Sequence, residues 1–257
     1  MDRMLIRLVR AAEAGGQVLR RYFGRSLATT RKSTTADFYT AADLAAERAV
    51  LTILKRAFPT YNILSEEHGL IDRKSIHTLV VDPLDGTNNF VLGIPNFSTS
   101  IALFQGPQVT QAAIYQPVLR KMFSAARGRG AYCNGRRLRV NRERRLSHTT
   151  VAYACPYGTS AAREVKLWRA FLGLGVKRVL STWSPSVDFC LLAQGKLEAV
   201  VSEQNELYDF AAGKFIAEEA GARCTDFHGS LLKDDHEPTF VASNGTAIHH
   251  ALTRALR

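Results

Sequence analysis

The apolar residues near the start of the chain recur with the spacing of α-helices. In the opening segment they fall mostly three or four positions apart, at Leu5, Leu8, Val9, Ala12, Leu19 and Tyr22. This spacing is typical of a helix with one buried face. A second helical pattern runs from about residue 42 to residue 58, where Pro59 stops it. The sequence therefore predicts two amphipathic helices, separated by a turn rich in Thr and Ser.

Short apolar runs follow, and their content of β-branched and aromatic residues favours strands. In the middle of the chain these runs lie at 79–81, 97–104, 109–115 and 121–126. From about residue 151 further strand patterns, at 151–155, 179–183, 197–202 and 239–243, alternate with helical patterns. This order predicts mixed layers of sheet and helix, divided between an N-terminal half, 1–145, and a C-terminal half, 146–257.

The most informative segment follows the apolar run at 79–81 and reads Asp82, Pro83, Leu84, Asp85, Gly86, Thr87. A buried strand that feeds a sharp turn is predicted here. Pro83 stiffens the turn, and Gly86 lets a ligand approach the backbone closely. The carboxylates of Asp82 and Asp85 can then share one space. Thr87 fits the N-cap of a helix whose free N–H groups and positive dipole end attract a phosphate.

These acidic residues also have ordinary interpretations. A pair such as Glu66 and Glu67 is usually solvated at the surface, and an Asp-Gly dipeptide is usually a turn. Asp82 and Asp85, however, directly follow a run that should be buried, where uncompensated carboxylates repel each other and lose hydration at a cost of several kcal/mol each. A bound divalent cation removes that difficulty, so a metal site is the favoured interpretation.

The type of ligand predicts which ion binds. Carboxylates and a carbonyl are hard oxygen donors, which favour Mg²⁺, and no His or Cys spacing typical of zinc accompanies them. The seven histidines are expected at the surface. The four cysteines are widely separated among apolar residues and are expected as reduced thiols in the core; they are Cys133, Cys155, Cys190 and Cys224.

Four short segments together resemble the inositol monophosphatase family. Residues 82–87 resemble its Asp-Pro-(Ile/Leu)-Asp-Gly-Thr motif, and residues 63–67 resemble its paired-glutamate segment. Residues 32–43 resemble its Lys, Asp and Thr-x-x-Asp stretch, while 208–213 with 219–221 resemble its Trp-Asp-x-Ala and Glu-Ala-Gly helix. The resemblance implies an α+β or α/β fold, a layered α-β-α-β-α sandwich of the inositol monophosphatase and fructose-1,6-bisphosphatase type. The metal site is then expected in the cleft where the two halves meet.

The same resemblance implies a magnesium-dependent phosphomonoesterase with two or three Mg²⁺ ions. By position, Glu66, Asp82 and the Leu84 carbonyl would hold the ion that activates water. Asp82, Asp85 and Asp209 would hold the second ion, which stabilises the leaving oxygen. Lithium is expected to inhibit at millimolar concentrations.

Further roles are implied for residues around these ligands. Thr87 would hydrogen-bond the attacking water with Asp43 behind it, and the amides of Gly86 and Thr87 would receive the phosphate. Glu67 would bind or tune a weaker third ion through water. Asp43, Glu66 and Thr87 are thus the expected catalytic residues, and direct attack by water implies no phosphoenzyme.

The substrate side departs from the pattern of inositol-preferring relatives. Their Gly-(Ser/Thr)-Ala-Ala-x-(Asp/Asn) segment is represented by residues 183–188, where Trp183 replaces glycine and Pro185 removes a backbone donor after Ser184. Trp183 is expected either to fill the core at a strand end or to form a pocket wall. Ser202 stands at the position of an acidic inositol contact.

These departures put myo-inositol 1-phosphate in doubt. The expected substrate contacts are Asp85, Gly86, Thr87, Asn88, Trp183, Ser184, Ser202 and Asp209. The expected substrate is a small phosphorylated metabolite, an inositol phosphate-like polyol or a sugar phosphate. Relatives with this framework also cleave histidinol phosphate, fructose 1,6-bisphosphate, 3'-phosphoadenosine 5'-phosphate and nicotinamide dinucleotide phosphate, and the sequence leaves these alternatives open.

Composition agrees with an enzyme that has a sizeable core, since 46% of the 257 residues are hydrophobic. No run reaches the roughly 18 to 20 apolar residues that span a bilayer. The N-terminus has no charged-then-apolar export segment, so a cytoplasmic protein without membrane attachment is expected. A homodimer is expected because it is common among relatives.

The charge balance supports a hypothesis of another class. The net charge is +11, and six arginines crowd into residues 136–145, namely Arg136, Arg137, Arg139, Arg142, Arg144 and Arg145. Such a density can bind nucleic acid or another polyanion. One bacterial branch of the family has a regulatory role linked to RNA polymerase. No stacking aromatics interleave with these arginines, however, so a solvated basic turn that steers anionic substrates is the preferred interpretation.

Overall fold

Two large β-sheets and seven α-helices account for most of residues 2–34 and 37–257, which are the residues described by this computed structural model. Thr35 and Ala36, part of the stretch 32–43 that resembles the family, lie outside the described residues. The helices are α1 Arg3–Tyr22, α2 Ala41–Ala57, α3 Thr87–Val91, α4 Ala161–Gly173, α5 Pro185–Ala193, α6 Leu207–Glu219 and α7 Ala247–Leu256.

The strands form a small hairpin and two sheets. The hairpin is β1 Thr29–Arg31 with β2 Phe38–Thr40. The first sheet contains β3 Asn62–Ser65, β4 Gly69–Ile71, β5 His77–Asp85, β6 Ser98–Gln105, β7 Gln108–Gln116, β8 Lys121–Ala126, β9 Gly130–Cys133 and β10 Arg136–Arg137, in the order β10-β9-β8-β7-β6-β5-β3-β4. The second contains β11 Thr150–Ala154, β12 Arg178–Leu180, β13 Ala199–Ser202, β14 Arg223–Thr225 and β15 Phe240–Ser243, in the order β12-β11-β13-β15-β14.

Strand β5 is covered on both faces, which explains why its sequence is a continuous apolar run. Because successive side chains alternate between faces, Leu79 and Val81 pack with α1 and α2, while Val80 packs with the core on the other side. That second core contains Phe189 of α5 and Phe215 of α6. Truncating a buried Phe such as Phe215 to Ala would cost roughly 3–5 kcal/mol.

The second sheet repeats this arrangement. Its residues Val200 and Ala242 share the core of α5 and α6, whereas Val151 and Val201 share another core with α4 and α7. The layers therefore run from α1 and α2 through the first sheet, α5 and α6, and the second sheet to α4 and α7. This is the expected α-β-α-β-α sandwich.

Most predicted elements are present with ends shifted by one or two residues. The strand predicted at 179–183 is wrong at its end, since β12 stops at Leu180 and Trp183 lies in a turn with φ of +56°. Each large sheet falls within one predicted half. Helices α5 and α6 nevertheless share one core with both sheets. The division at residue 145 stays a prediction.

The helices of the described residues include no candidate for a membrane-spanning segment. Across residues 2–34 and 37–257, none combines the length and apolar character that crossing a bilayer requires.

Candidate active site

The four acidic segments predicted from the sequence meet in one cleft with a volume of about 530 Å³. Its walls include Glu66 after β3, Asp82 and Asp85 at the end of β5, and Asp209 in α6. Gly86, Thr87, Asn88, Trp183 and Ser184 also line it. The fold therefore brings together side chains that are more than a hundred positions apart in the chain.

A β-bulge places Asp82 and Asp85 in the same cleft. Residues three apart on a regular strand point to opposite faces. Here Asp82 pairs with Ser100 and Asp85 with Ser98, so β5 holds one residue more than β6 between these pairs. The hydroxyl of Thr99 donates to the Pro83 carbonyl at 2.9 Å and holds the bulge. The bulge in the backbone is therefore the reason why the carboxylates of Asp82 and Asp85 share one space, as expected.

The carboxylate of Asp85 is held by two serine hydroxyl groups. Its Oδ2 accepts hydrogen bonds from Ser98 Oγ at 3.2 Å and from Ser184 Oγ. Ser184 comes from the turn before α5, 99 positions away. Asp82 is oriented more locally, because its Oδ1 accepts the Leu84 amide at 2.9 Å. Both carboxylates are buried.

Asp43 connects the start of α2 to the motif at 82–87. One of its oxygens, Oδ2, accepts the amide of Thr40 at 2.8 Å and its hydroxyl at 2.6 Å, which forms a capping box. The other oxygen, Oδ1, accepts the hydroxyl of Thr87 at 3.0 Å. The cap thus fixes the carboxylate that faces Thr87.

The prediction that Thr87 caps a helix is wrong. Gly86 is the N-cap, and Thr87 is the first residue of α3, which has only five residues. Gly86 has φ of +96°, and a Cβ there would come within 2.9 Å of the Asn96 carbonyl oxygen. Only glycine fits this position without strain. The Thr87 hydroxyl does not cap the helix. It lies between Asp43 Oδ1 and the Leu84 carbonyl oxygen, which is 3.1 Å from Thr87 Oγ1.

Glu66 and Glu67 are bridged by Lys32. The Lys32 Nζ lies 2.8 Å from Glu66 Oε1 and 2.5 Å from Glu67 Oε1. The paired glutamates are therefore not the solvated surface pair of the ordinary interpretation, since the side chain of Glu67 is only 5% exposed. Burial raises the pKa of Glu67 to about 7, against the opposing effect of Lys32.

Asp209 enters the cleft from the first turn of α6. Its Oδ2 accepts the Glu206 amide at 3.0 Å, within a capping box. Its neighbour Phe210 is fully buried in the central core, which anchors the helix. The apolar face of α6 therefore sets where this carboxylate lies.

The carboxylates of the cleft raise one another's pKa. Burial, followed by the charges of Glu66 and Asp85, holds the pKa of Asp82 and of Asp209 well above its usual range. Burial raises the pKa of Asp85 to about 7, although Ser184 opposes the shift. Burial also raises the pKa of Asp43. Such a cluster is stabilised by protons or by cations.

The donor set fits Mg²⁺ in its chemistry, because it consists of carboxylates and the nearby Leu84 carbonyl. In residues 2–34 and 37–257, however, no three Asp, Glu, His or Cys side chains are already arranged around one point as metal ligands. Glu66 points to Lys32, and Asp82, Asp85 and Asp209 repel each other. The structure thus assembles the expected ligands in one cleft but does not draw them into a closed coordination sphere.

All the expected substrate contacts except Ser202 line the cleft. Trp183 lines the cleft with 49% of its surface exposed, so it is a pocket wall and does not fill the core. Ser184 also lies in the wall, but its hydroxyl bonds Asp85. The prediction for Ser202 is wrong. That residue is fully buried outside the cleft lining, and its hydroxyl donates to the Pro238 carbonyl at 3.1 Å.

Three residues in or beside the cleft escaped the sequence analysis. Tyr157 lines the cleft, and its hydroxyl oxygen accepts Asn88 Nδ2 at 2.8 Å. Asp188 also lines the cleft but is almost fully buried, and burial raises its pKa to about 8. Ser98, outside the cleft lining, binds Asp85 as described above. Tyr157 gives no local signal, because its partner Asn88 is 69 positions away. Asp188 accepts a hydrogen bond from the Thr182 hydroxyl six positions away, and Ser98 meets Asp85 across the neighbouring strands β6 and β5.

The remaining expectations concern histidine, cysteine and arginine. His249 is buried, contrary to the surface prediction, with its ring nitrogens 2.9 Å from Thr225 Oγ1 and 2.8 Å from Ser243 Oγ. The four cysteines are free thiols, and Cys190 and Cys224 are buried. The six arginines of 136–145 are exposed, and Arg145 pairs with Glu143 at 2.9 Å.

Comparisons with known proteins agree with the fold. The sequence model of the Inositol monophosphatase family matches residues 1–257. A protein named Nus factor SuhB from Pasteurella multocida is 34% identical over 92% of this chain and 90% of its own length. Inositol-1-monophosphatase from Mesorhizobium japonicum is 33% identical over 97% and 94%. The crystal structure of extragenic suppressor protein SuhB from Bartonella henselae superposes with a TM-score of 0.93 at 31% identity, covering 100% of this chain and 99% of that one. The chain belongs to the inositol monophosphatase family.

Proposed function

We propose that this protein is a magnesium-dependent phosphatase that hydrolyses a small phosphorylated metabolite. The observation that carries the proposal is the convergence of Glu66, Asp82, Asp85 and Asp209 in one cleft beside the hydrogen-bonded pair of Thr87 and Asp43. Burial of so many carboxylates is unfavourable unless a cation accompanies them. Family membership supports the same activity.

The residues proposed to hold magnesium are Glu66, Asp82, the Leu84 carbonyl, Asp85 and Asp209, with Glu67 serving a third ion. When bound, Mg²⁺ neutralises the phosphate, lowers the pKa of water and stabilises the leaving oxygen. Two or three ions are proposed. The pairing of Glu66 with Lys32 engages Oε1, and Glu66 is proposed to hold the ion through its other carboxylate oxygen.

The protein's own groups orient the attacking water. The Thr87 hydroxyl donates to Asp43 Oδ1, so its oxygen lone pairs are available to accept a hydrogen bond from water. Asp43 is the final acceptor in this chain of hydrogen bonds and is fixed by Thr40. The amides of Gly86 and Thr87 are proposed to donate to the phosphate oxygens. Ser98 and Ser184 keep Asp85 facing the cleft.

The test is phosphate release from a set of phosphomonoesters with and without MgCl₂. The Asp85→Asn variant should fold but lose the activity, by roughly a hundredfold or more, because one ligand charge is removed. Ser202→Ala is a matched control, since Ser202 lies outside the cleft lining. Release that persists in excess EDTA, or in Asp85→Asn, would contradict the proposal.

A regulatory binding role is a second candidate. It is favoured by the exposed arginines of 136–145 and by relatives named Nus factor SuhB. The proposed partner is RNA or RNA polymerase. Binding of the partner that weakens steeply with salt and persists in Asp85→Asn would support this role. Loss of that binding when Arg136, Arg137 and Arg139 are replaced by Gln would place the binding surface at these arginines. Binding unaffected by these replacements would argue against it.

A further inference from the structure

The cleft has an unusual charge balance. Of the described residues that line it, eight are Asp or Glu and none is Lys, Arg or His. Four of the eight are not proposed metal ligands, namely Asp37, Glu164, Asp188 and Glu206. Metal ions can neutralise one phosphate beside Asp82 and Asp85. No described lining residue offers a positive charge to a second phosphate.

Two cationic side chains that neighbour lining residues in the sequence, Lys32 and Arg163, are already paired. Lys32 bonds Glu66 and Glu67. Arg163, which follows the Tyr157 loop, donates to Glu203 with Nε at 2.8 Å and NH2 at 2.5 Å. Recruiting Lys32 for a second anion would take its charge from Glu66 and Glu67. Recruiting Arg163 would leave Glu203 with the Tyr153 hydroxyl but no cation, and either loss is unfavourable. The negative charge of the cleft therefore disfavours binding of substrates whose leaving group is anionic, compared with substrates whose leaving group is neutral or cationic.

Two exposed aromatic rings line the same cleft. Trp183 is 49% exposed and Tyr157 is 45% exposed, an unusual state for large apolar side chains in a structure where most aromatics are buried. The Tyr157 hydroxyl is tied to Asn88, which directly follows Thr87. Burial raises the pKa of Tyr157 to about 12, so the phenol stays neutral at neutral pH.

The backbone holds Trp183 in a conformation that bulky residues rarely adopt. Its φ is +56°, in the left-handed region. The turn is fixed on both sides, since the Thr182 carbonyl accepts Asn89 Nδ2 at 2.7 Å and Ser184 donates to Asp85. The flanking contacts account for the strained backbone, whereas the exposed ring of Trp183 has no packing role and is better explained by contact with a ligand in the cleft.

From this arrangement we infer that the preferred substrate carries a single phosphate on a leaving group that has a planar ring, neutral or cationic, which packs against Trp183 and Tyr157. This inference rests on the proposed phosphatase function. Aromatic faces attract planar rings and cations, and the surplus carboxylates other than Asp188, whose pKa is raised by burial to about 8, favour a cation further. Sugar bisphosphates and nucleotide bisphosphates are disfavoured because their second phosphate meets only carboxylates and neutral groups.

The first experiment compares kcat/KM for four compounds in MgCl₂. Histidinol phosphate has a cationic amine and an imidazole ring, phenyl phosphate has a neutral ring, glycerol 2-phosphate has no ring, and fructose 1,6-bisphosphate has a second phosphate. Because phenol is a better leaving group than an alkyl alcohol, phenyl phosphate is compared only between the parent and the Trp183 variants. We expect histidinol phosphate, whose leaving group is an alkyl alcohol, to exceed glycerol 2-phosphate and fructose 1,6-bisphosphate by about tenfold or more, the size of a good aromatic contact. A bisphosphate that equals or exceeds histidinol phosphate would overturn the inference.

The second experiment tests the ring at position 183. Trp183→Gly suits a φ of +56° and should not unfold the protein. It should lower the ratio of kcat/KM for phenyl phosphate to that for glycerol 2-phosphate by about tenfold, whereas Trp183→Phe should retain most of that ratio. Arg120→Gly is the matched control, because Arg120 also has a positive φ, of +50°, outside the cleft lining. An unchanged ratio in Trp183→Gly would overturn the inference.

A binding measurement separates the inference from the proposed function. Trp168 and Trp183 are the two tryptophans. Histidinol and phenol, the leaving alcohols, should quench fluorescence in the parent but not in Trp183→Phe, which keeps Trp168. Quenching without magnesium-dependent phosphate release from any compound would support the ring contact and refute the phosphatase. Release without such quenching would leave the phosphatase standing and refute the ring contact.

Discussion

The Thr87 hydroxyl donates a hydrogen bond of 3.0 Å to Asp43 Oδ1, although the two residues are 44 positions apart. Asp43 is fixed because its other oxygen caps α2 through Thr40. A helix cap, normally a local stabilising feature, thereby orients a hydroxyl at the proposed reaction centre.

Thr87→Val tests this pair, because valine has nearly the same shape but cannot hydrogen-bond. We expect kcat to fall by roughly a hundredfold or more with a smaller change in KM, since the orientation of water matters most in the transition state. Thr87→Ser should retain most activity. Steady-state kinetics measure both, and near-parental kcat in Thr87→Val would show that the hydroxyl is not needed.

Asp209→Asn removes a charge while keeping the shape of the side chain. We expect turnover to fall by orders of magnitude, since a ligand charge opposite the leaving oxygen is lost. Circular dichroism should show an intact fold, because α6 is anchored by Phe210 and Phe215 in the core. Turnover close to that of the parent would remove Asp209 from the proposed ligands.

Lithium should inhibit the enzyme at millimolar concentrations. The expectation comes from the family resemblance and from a second ion that exchanges readily at Asp82, Asp85 and Asp209. Initial rates in LiCl are compared with rates in equal NaCl, which controls for ionic strength. Full activity in roughly 100 mM LiCl would contradict the proposed arrangement of ions.

The carboxylate cluster should make stability depend on pH when divalent cations are absent. Burial raises the pKa of Asp85 from 3.8 to about 7 in the folded protein. In the unfolded chain this carboxyl ionises first, so its contribution to stability is lost as pH rises from about 4 to about 7.

Asp85→Asn isolates this contribution. Measured in EDTA by urea unfolding, the variant should gain a few kcal/mol relative to the parent between pH 4.5 and pH 8. Excess MgCl₂ should stabilise the parent more than the variant at pH 8. A difference between the two proteins that stays constant over this range would contradict the raised pKa.

The contribution of His249 to the free energy of unfolding should depend on pH in the opposite sense. Burial lowers its pKa from 6.5 to about 4, so the folded protein keeps the imidazole neutral while the unfolded chain takes up a proton below about pH 6.5. The stability that His249 contributes is therefore present above pH 6.5 and lost as pH falls to about 4.

His249→Gln should accordingly destabilise the protein most at pH 7.5. The destabilisation should shrink by about 2–3 kcal/mol at pH 4.5, which follows from the size of the pKa change. Thermal or urea unfolding in excess MgCl₂ measures this without interference from the carboxylate cluster. His250→Gln is the matched control, because its neighbour His250 is exposed. Equal pH profiles for the two variants would contradict the prediction.

Much of the fold could be predicted because it depends on local patterns. The continuous apolar run of β5 and the three-to-four spacing in α1 reflect which faces are buried, and each is readable in a short stretch of sequence. The end of β12 and the role of Trp183 were harder to predict. The apolar run suggests a continuing strand, but contacts of Thr182 with Asn89 and of Ser184 with Asp85 impose a turn there.

The sequence by itself determined which chemical groups are present, namely the acids of the four segments and the glycine before α3, and it predicted mixed layers of sheet and helix. Only the tertiary structure decided how those groups meet. The bulge after Asp82, the separation of Ser202 from the cleft and the link between Tyr157 and Asn88 arise where distant segments pack. The physical reason is that covalent neighbours fix periodicity and turns, whereas the position of a side chain against a remote partner depends on how two sheets and their shared helices fill one core.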